Sequence, residues 1–343
     1  MGSHRDRWWM LLLPVLVFGL AAAGTARVLR VPGQYATIGA AVGAAADSDT
    51  ILVAAGVYEQ QLFIEKFLTL TSEDGPESTI IDGGASRYPA VCFTLGLIGH
   101  GNAWVIDGFT VQNGHGGIAG TNMGYPLIVR NCIVRESSSW GISPCDCPAT
   151  IEGCTIVHNA GDGVSLYHDP RPVPTVIVGS FIAFNDTGVG GATDGGVVIE
   201  HNTIVGNTWD GIILSRFDPV GVLEISSNII VSNGRSGIDV HPGLSVFDCS
   251  DIHHNDVWGS GQGNVPSHSA CAEQILGFNG NISEDPLFCD IAGEDFTLSV
   301  ASPCAGTGAG GSNMGAFGIG CEPESSVTEW QPRSWGTIKA LYR

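Results

Sequence analysis

Lysine is almost missing from this chain: Lys66 and Lys339 are the only two in 343 residues. Lys and Arg together number 14 against 34 Asp and Glu, a net charge of −20. Nucleic acid and anionic membrane surfaces select basic patches, so neither is an expected partner. A polyanionic polymer fits such a chain only with a cation between them, which leaves calcium as the one cofactor kept open. The zinc pattern is lacking too. The closest cysteines, Cys145-Asp-Cys147, have no second pair and no spaced histidines to complete a tetrahedral site. Beyond the first 26 residues no apolar run reaches spanning length, so the mature chain is expected to carry no transmembrane segment.

What is present begins with an export signal. His4, Arg5 and Arg7 precede an apolar run from Trp8 to Ala23, and small residues follow at Ala21, Ala22, Ala23, Gly24 and Ala26. This pattern predicts a signal peptide over residues 1–26 and a secreted protein, extracellular or periplasmic or attached to the cell surface. Ten cysteines agree with an oxidising compartment and predict at least three disulfides, with Cys249, Cys271, Cys289 and Cys304 among them.

Glycine is abundant, at 49 residues, and it falls periodically. Segments starting at Gly108 (GFTVQN), Asn131 (NCIVRE), Cys154 (CTIVHN), Ser180 (SFIAFN), Asn202 (NTIVGN), Asn228 (NIIVSN) and Asn255 (NDVWGS) repeat at 23, 23, 26, 22, 26 and 27 residues. A Gly-Ile or Gly-Val landmark follows each of the first six, at Gly117, Gly141, Gly163, Gly188, Gly211 and Gly237. A third β-branched stretch precedes the next anchor. Three short strands per repeat, bounded by Gly or Asn, wind into a coil that advances about 4.8 Å per repeat. The stack buries a face that no coil could bury alone. Leucine-rich repeats are the rival solenoid, but the LxxLxL pattern is missing. The predicted fold is therefore all-β, a right-handed parallel β-helix of three-strand coils of about 22–27 residues. The recurrent Asn residues are expected at the bends, in the left-handed conformation, each amide bonding to the Asn of the next coil.

Open coil ends need covers. Thr37 followed by an apolar face at Ile38, Ala41, Val42 and Ala45 predicts an N-terminal capping helix, after which strands are expected at 50–53, 62–64, 68–70 and 79–81. The repeat fades near Gly259. Residues 27–258 are read as the helix with its N-terminal cap, 259–321 as a cysteine-rich C-terminal cap of the same domain, and 322–343 as a tail.

With Tyr35-Ala-Thr-Ile38, Asp49-Thr-Ile-Leu-Val-Ala-Ala-Gly-Val-Tyr-Glu59 and Ile80-Ile-Asp-Gly83 near its start, the chain resembles the pectate-lyase-like β-helix superfold, specifically secreted bacterial β-helix-repeat proteins. Gly280-Asn-Ile-Ser-Glu-Asp-Pro-Leu-Phe288, Ser302-Pro-Cys304 and Gly315-Ala-Phe317 carry the likeness to residue 321. The resemblance implies the fold over about residues 28–321. It does not specify an activity, because this fold carries lyases, hydrolases, esterases, epimerases and proteins with none. The motifs of the enzymes it resembles are mostly absent. There is no DFIFG-type strand as in methylesterases and no Asp-Asp pair as in polygalacturonases. Both Gly-His-Gly triplets, at His100 and His115, come too early. No lysine stands in the repeats as lyases require, and Tyr167-His168-Asp169-Pro170 only shares letters with the epimerase segment.

Side chains alternate along a strand, so the strand after each Gly-Ile landmark places Ser143, Ser165, Gly190, Ile213 and Asp239 in one outward column. Cys145, Tyr167, Ala192, Ser215 and His241 form the next, and Trp140, Asp162, Thr187, Asp210 and Ser236 lie just before the landmarks. Asp210, Arg216, Asp239 and His241 are therefore the candidate catalytic residues, a set suited to acid–base work on a sugar. Trp140, Tyr167 and His168 are the candidate substrate contacts. The expected function is binding or presentation of an extracellular polysaccharide or surface glycan by a monomer. The alternative is a hydrolase, lyase or epimerase acting on such a polymer through this face.

Overall fold

The computed structural model describes residues 25–94, 103–121, 125–145, 147–167, 173–192, 195–215, 222–241, 249–269 and 272–322. The expected signal peptide, apart from its last two residues, and all but the first residue of the tail lie outside them. No helix among the described residues is long and apolar enough to cross a membrane.

The chain winds through three parallel sheets. Sheet A runs from Val28–Val31 to Ile252–His253 and has ten strands, and sheet B runs from Gly56–Glu59 to Asp256–Trp258 and has nine. Sheet C has eight: Leu62–Ile64, Val91–Thr94, Ile118–Thr121, Ile142–Cys145, Val164–Leu166, Val189–Gly191, Ile212–Leu214 and Ile238–Val240. One coil passes A, B, C in turn, as in Gly196–Glu200, Thr203–Val205 and Ile212–Leu214, before re-entering sheet A at Val222–Ser226. Each strand pairs in register with its counterpart one repeat away, so Ile118, Ile142, Val164, Val189, Ile212 and Ile238 stack into one fully buried row. The landmark glycines are forced by the tight approach of the coils. A Cβ on Gly163 would come within 2.8 Å of the Gly188 carbonyl and of the Asn185 amide.

Two asparagine ladders clamp the coils, as the repeat predicts. At the A-to-B bend, Asn228 Oδ1 accepts from Asn202 N at 2.9 Å and Nδ2 at 3.1 Å, while its own amide donates to Asn255 Oδ1 at 2.9 Å. At the B-to-C bend, Asn159, Asn185, Asn207 and Asn233 form the second ladder. The left-handed residue is not the ladder Asn, however, but the one before it: His158, Phe184, His201, Ser227, Ser232 and His254 all have φ between 53° and 58°. This also corrects the repeat alignment. Ile133 pairs with Thr155, so Cys132 rather than Asn131 shares the column of Cys154, Ser180 and Asn202. The first two segments were one residue out, because Asn113 and Asn131 occupy the left-handed place. In the ladder column the thiols of Cys132 and Cys154 reach back to the carbonyls of Ile106 (3.8 Å) and Val129 (3.6 Å), the same contact that Asn202 makes with Ile177 (2.8 Å).

The N-terminal cover forms as expected, a helix over Ile38–Ala44 with Thr37 Oγ1 accepting from Ala40 N at 3.1 Å and Ile38, Ala41 and Val42 buried. The sequence reading missed the strand Gly56–Glu59. The far end differs more. Ile275 is buried against the last coils, but the chain then folds back along the outer face of sheet B. Phe296, Leu298, Cys304 and Met314 pack there on Ala183, Val205, Ile229 and Val231, forming a second core. Gly315 N donates to Ser227 O at 2.8 Å and Ala316 N to Thr203 Oγ1 at 3.0 Å. A disulfide, Cys289–Cys321, ties strand Phe288–Asp290 of this segment to strand Ile319–Cys321. Cys249 is disulfide-bonded as expected. Cys304 is not: it is a buried thiol, taken up by the second core instead of a crosslink.

Candidate functional site

The outer face of sheet C carries a row of mostly small side chains (the trough), bordered on one side by the B-to-C bends. Register carries one outward column through all eight strands: Phe63, Cys92, Ala119, Ser143, Ser165, Gly190, Ile213 and Asp239. Between its ends the column holds only small side chains up to Gly190, of which Cys92, Ala119, Ser143 and Gly190 are themselves buried. The B-to-C bends form one wall, because each sends the residues before the landmark glycine up beside this row. Trp140 lies across the backbone of Gly116, where a Cβ would meet its ring at 2.3 Å. Asp162 sits over Gly190, where a Cβ would come within 3.2 Å of its carboxylate. Trp209 is 49% exposed, and Tyr167, at the end of the strand Val164–Leu166, is 62% exposed.

Two of the expected catalytic carboxylates meet, though not as solvent-facing groups. Asp210 and Asp239 are both buried, against the expectation that alternation would turn Asp239 outward into water. They share a cation that the sequence reading overlooked. Arg235 Nε stands 3.3 Å from Asp210 Oδ1, and its terminal nitrogen stands 3.7 Å from Asp239 Oδ2. The Arg235 guanidinium also lies 5.5 Å from the ring centre of Trp209. Ser236 N donates to Asp210 Oδ1 at 3.1 Å, and His268 Nε2 is 3.0 Å from Asp239 Oδ2. Thus Arg235 and His268 complete the cluster. Arg235 was legible in principle, being four residues before Asp239 and one coil beyond Asp210. His268 belongs to the segment after the repeat fades and carries no periodic signal. His241 is exposed at the strand end, and Trp140 is half-buried. Arg216 and His168 lie outside the described residues.

Three successive coils of the wall carry carboxylates, Asp162, Asp186 and Asp210. Burial pushes the Asp162 carboxyl up, and the charge of Asp186 on the next coil adds to it. Asp186 is raised in the same way, by burial and then by Asp210. Carboxylates on successive coils thus repel one another, and among the described residues Arg235 compensates Asp210. Among the described residues no group of three or more His, Cys, Asp or Glu side chains is placed to hold a metal ion.

Three parallel sheets, in-register coils and ladder-clamped bends define a parallel β-helix solenoid. The sequence matches the family described as right handed beta helix region over residues 99–274, and the chain belongs to that family. Among solved structures it is similar to pectate lyase Pel9A, with a TM-score of 0.54 at 14% identity, over 87% of this chain and 97% of that one. It is also similar to the A-modules of the Azotobacter vinelandii mannuronan C-5 epimerases AlgE4 and AlgE6, at 13% and 14% identity with TM-scores of 0.39 and 0.40. Those alignments cover 62% and 65% of this chain and 70% of each module. At 14% identity the likeness to the lyase is one of fold. No curated protein matches the sequence.

Proposed function

We propose that this protein is exported and binds an extracellular polysaccharide lengthwise in the sheet C trough. The observation that carries the reading is the combination of a row of small side chains with exposed Tyr167 and Trp209 and the carboxylates Asp162, Asp186 and Asp210 on three successive coils beside it. Coils advance about 4.8 Å, close to the length of one pyranose unit, so successive sugars would lie beside successive coils. Carboxylates accept hydrogen bonds from sugar hydroxyls, and aromatic faces pack on the apolar face of the ring. Arg235, beside Trp209, is already engaged by Asp210 and Asp239 and so is not free to meet a uronate. The favoured polymer is neutral. Asp210 and Asp239 act here by holding Arg235, and through it Trp209, in place.

Retardation in gels containing neutral polysaccharides tests this, with polygalacturonate as the charged control. Trp209→Ala and Tyr167→Ala are each expected to lower retention severalfold with an unchanged melting temperature. Equal retention of parent and both variants on a polymer the parent binds removes the trough from consideration. A catalytic reading is favoured by one feature, the neighbouring carboxyls of Asp162 and Asp186, of which burial and the Asp186 charge raise Asp162 above its ordinary value. Reducing-end release from the retained polymer, abolished by Asp162→Asn, would move the assignment from binder to hydrolase.

A further inference from the structure

We infer that the trough carries a second sugar-binding subsite at its N-terminal end, formed by Phe63, Tyr88 and the cavity beside them. This rests on the polysaccharide reading above and extends it to the length of polymer recognised. Phe63 is the first member of the outward column and is 49% exposed; Tyr88 is 51% exposed. Their rings meet edge to face, 5.8 Å between centres at 78°, so one ring braces the other while both stay accessible. Tyr88 is fixed by its backbone: its N–H donates to Ser86 Oγ at 3.2 Å, and its carbonyl accepts from His115 N at 3.0 Å. Ser86 opens directly onto a cavity of about 530 Å³, lined also by Gly84, Asn113, Glu136 and Ser138.

A pair of braced aromatic rings beside hydroxyl, amide and carboxylate groups presents an apolar plane next to hydrogen-bonding groups. That combination matches a sugar ring, which has an apolar face and a rim of hydroxyls. The cavity is lined by B-to-C bends, and Ser138 lies two residues before Trp140. The subsite and the trough wall are therefore one continuous edge of sheet C. From the strand of Phe63 to that of Ile213 is six coil steps, about 29 Å at about 4.8 Å each. The ligand is thus a linear glycan of about six residues or more, anchored at both ends by aromatic side chains and lying along the row of small side chains between them.

The test uses the full chain and neutral cello-, xylo- and malto-oligosaccharides graded from dimer to octamer, with affinity read by calorimetry. For the parent, affinity for the series that binds is expected to climb up to about the hexamer. In the Phe63→Ala/Tyr88→Ala double variant the long oligomers should lose about tenfold while the trimer is unaffected. Melting temperature should not move, since both rings are half-exposed. If the double variant binds hexamer and octamer as the parent does, the second subsite is wrong and the polysaccharide reading stands. If the parent binds no oligomer and no polymer of these series, that reading falls and takes the subsite with it.

Discussion

The thiol of Cys304 lies 3.3 Å from Oδ2 of Asp256, a carboxyl 48 residues earlier that is wholly shut off from solvent. This contact joins the folded-back C-terminal segment to the last strand of sheet B. Burial raises the Asp256 carboxyl to about 6, and the charges of Glu284 and Asp285 push the same way against the hydrogen bonds from Glu284 N and Cys304. A carboxyl raised on folding is stabilising while protonated. Its contribution is full below the unfolded value near 3.8 and is lost as pH rises through about 6. Asp256→Asn is therefore expected to raise stability at pH 8 by up to about 3 kcal/mol and to change little at pH 4. Urea midpoints at the two pH values check this, and an equal shift at both would contradict the assignment.

Asn228 stands in the middle of the first ladder, donating to Ile199 O at 2.7 Å and accepting from two groups of Asn202. Asn228→Ala strands those buried partners and should cost about 2–4 kcal/mol in chemical unfolding. The exposed Ser215, on the trough side, serves as control, and its replacement by Ala should cost well under 1 kcal/mol.

Arg235 is the one cation paired with both Asp210 and Asp239. Arg235→Met is expected to destabilise by about 2 kcal/mol, moderated because the guanidinium is partly open to water. Adding Asp210→Asn should recover part of the loss, because the uncompensated buried charge is then removed. A double variant no more stable than the single one would show that the pair is not what holds this corner.

Cys92, Cys132, Cys154 and Cys304 are buried thiols. Ellman titration of the folded protein should leave these four almost unreactive, and non-reducing denaturant should expose them all. Burial raises the thiols of Cys92 and Cys304, which further slows their attack at neutral pH. Rapid native labelling of Cys304 would show that the folded-back segment opens readily.

Much of this architecture follows from the sequence alone. A period of 22 to 27 residues with β-branched pairs and Gly-Ile landmarks admits one economical winding, and the asparagine ladders follow because identical side chains recur at identical bends. The capping helix was legible from Thr37 and its apolar face for the same local reason. Tertiary structure alone decided the rest. The left-handed residue at each bend is set by the backbone path, so His201 takes it beside Asn202 although Asn is intrinsically better suited. The C-terminal segment carries no repeat, so nothing in its pattern says that Phe296 and Met314 lie on the outer face of sheet B rather than across the open end. Alternation assigned Asp239 to the outer face but could not show that Arg235 and His268 would cover it there. Periodicity reports where a side chain leaves its own coil; what meets it depends on neighbouring coils and on segments outside the repeat.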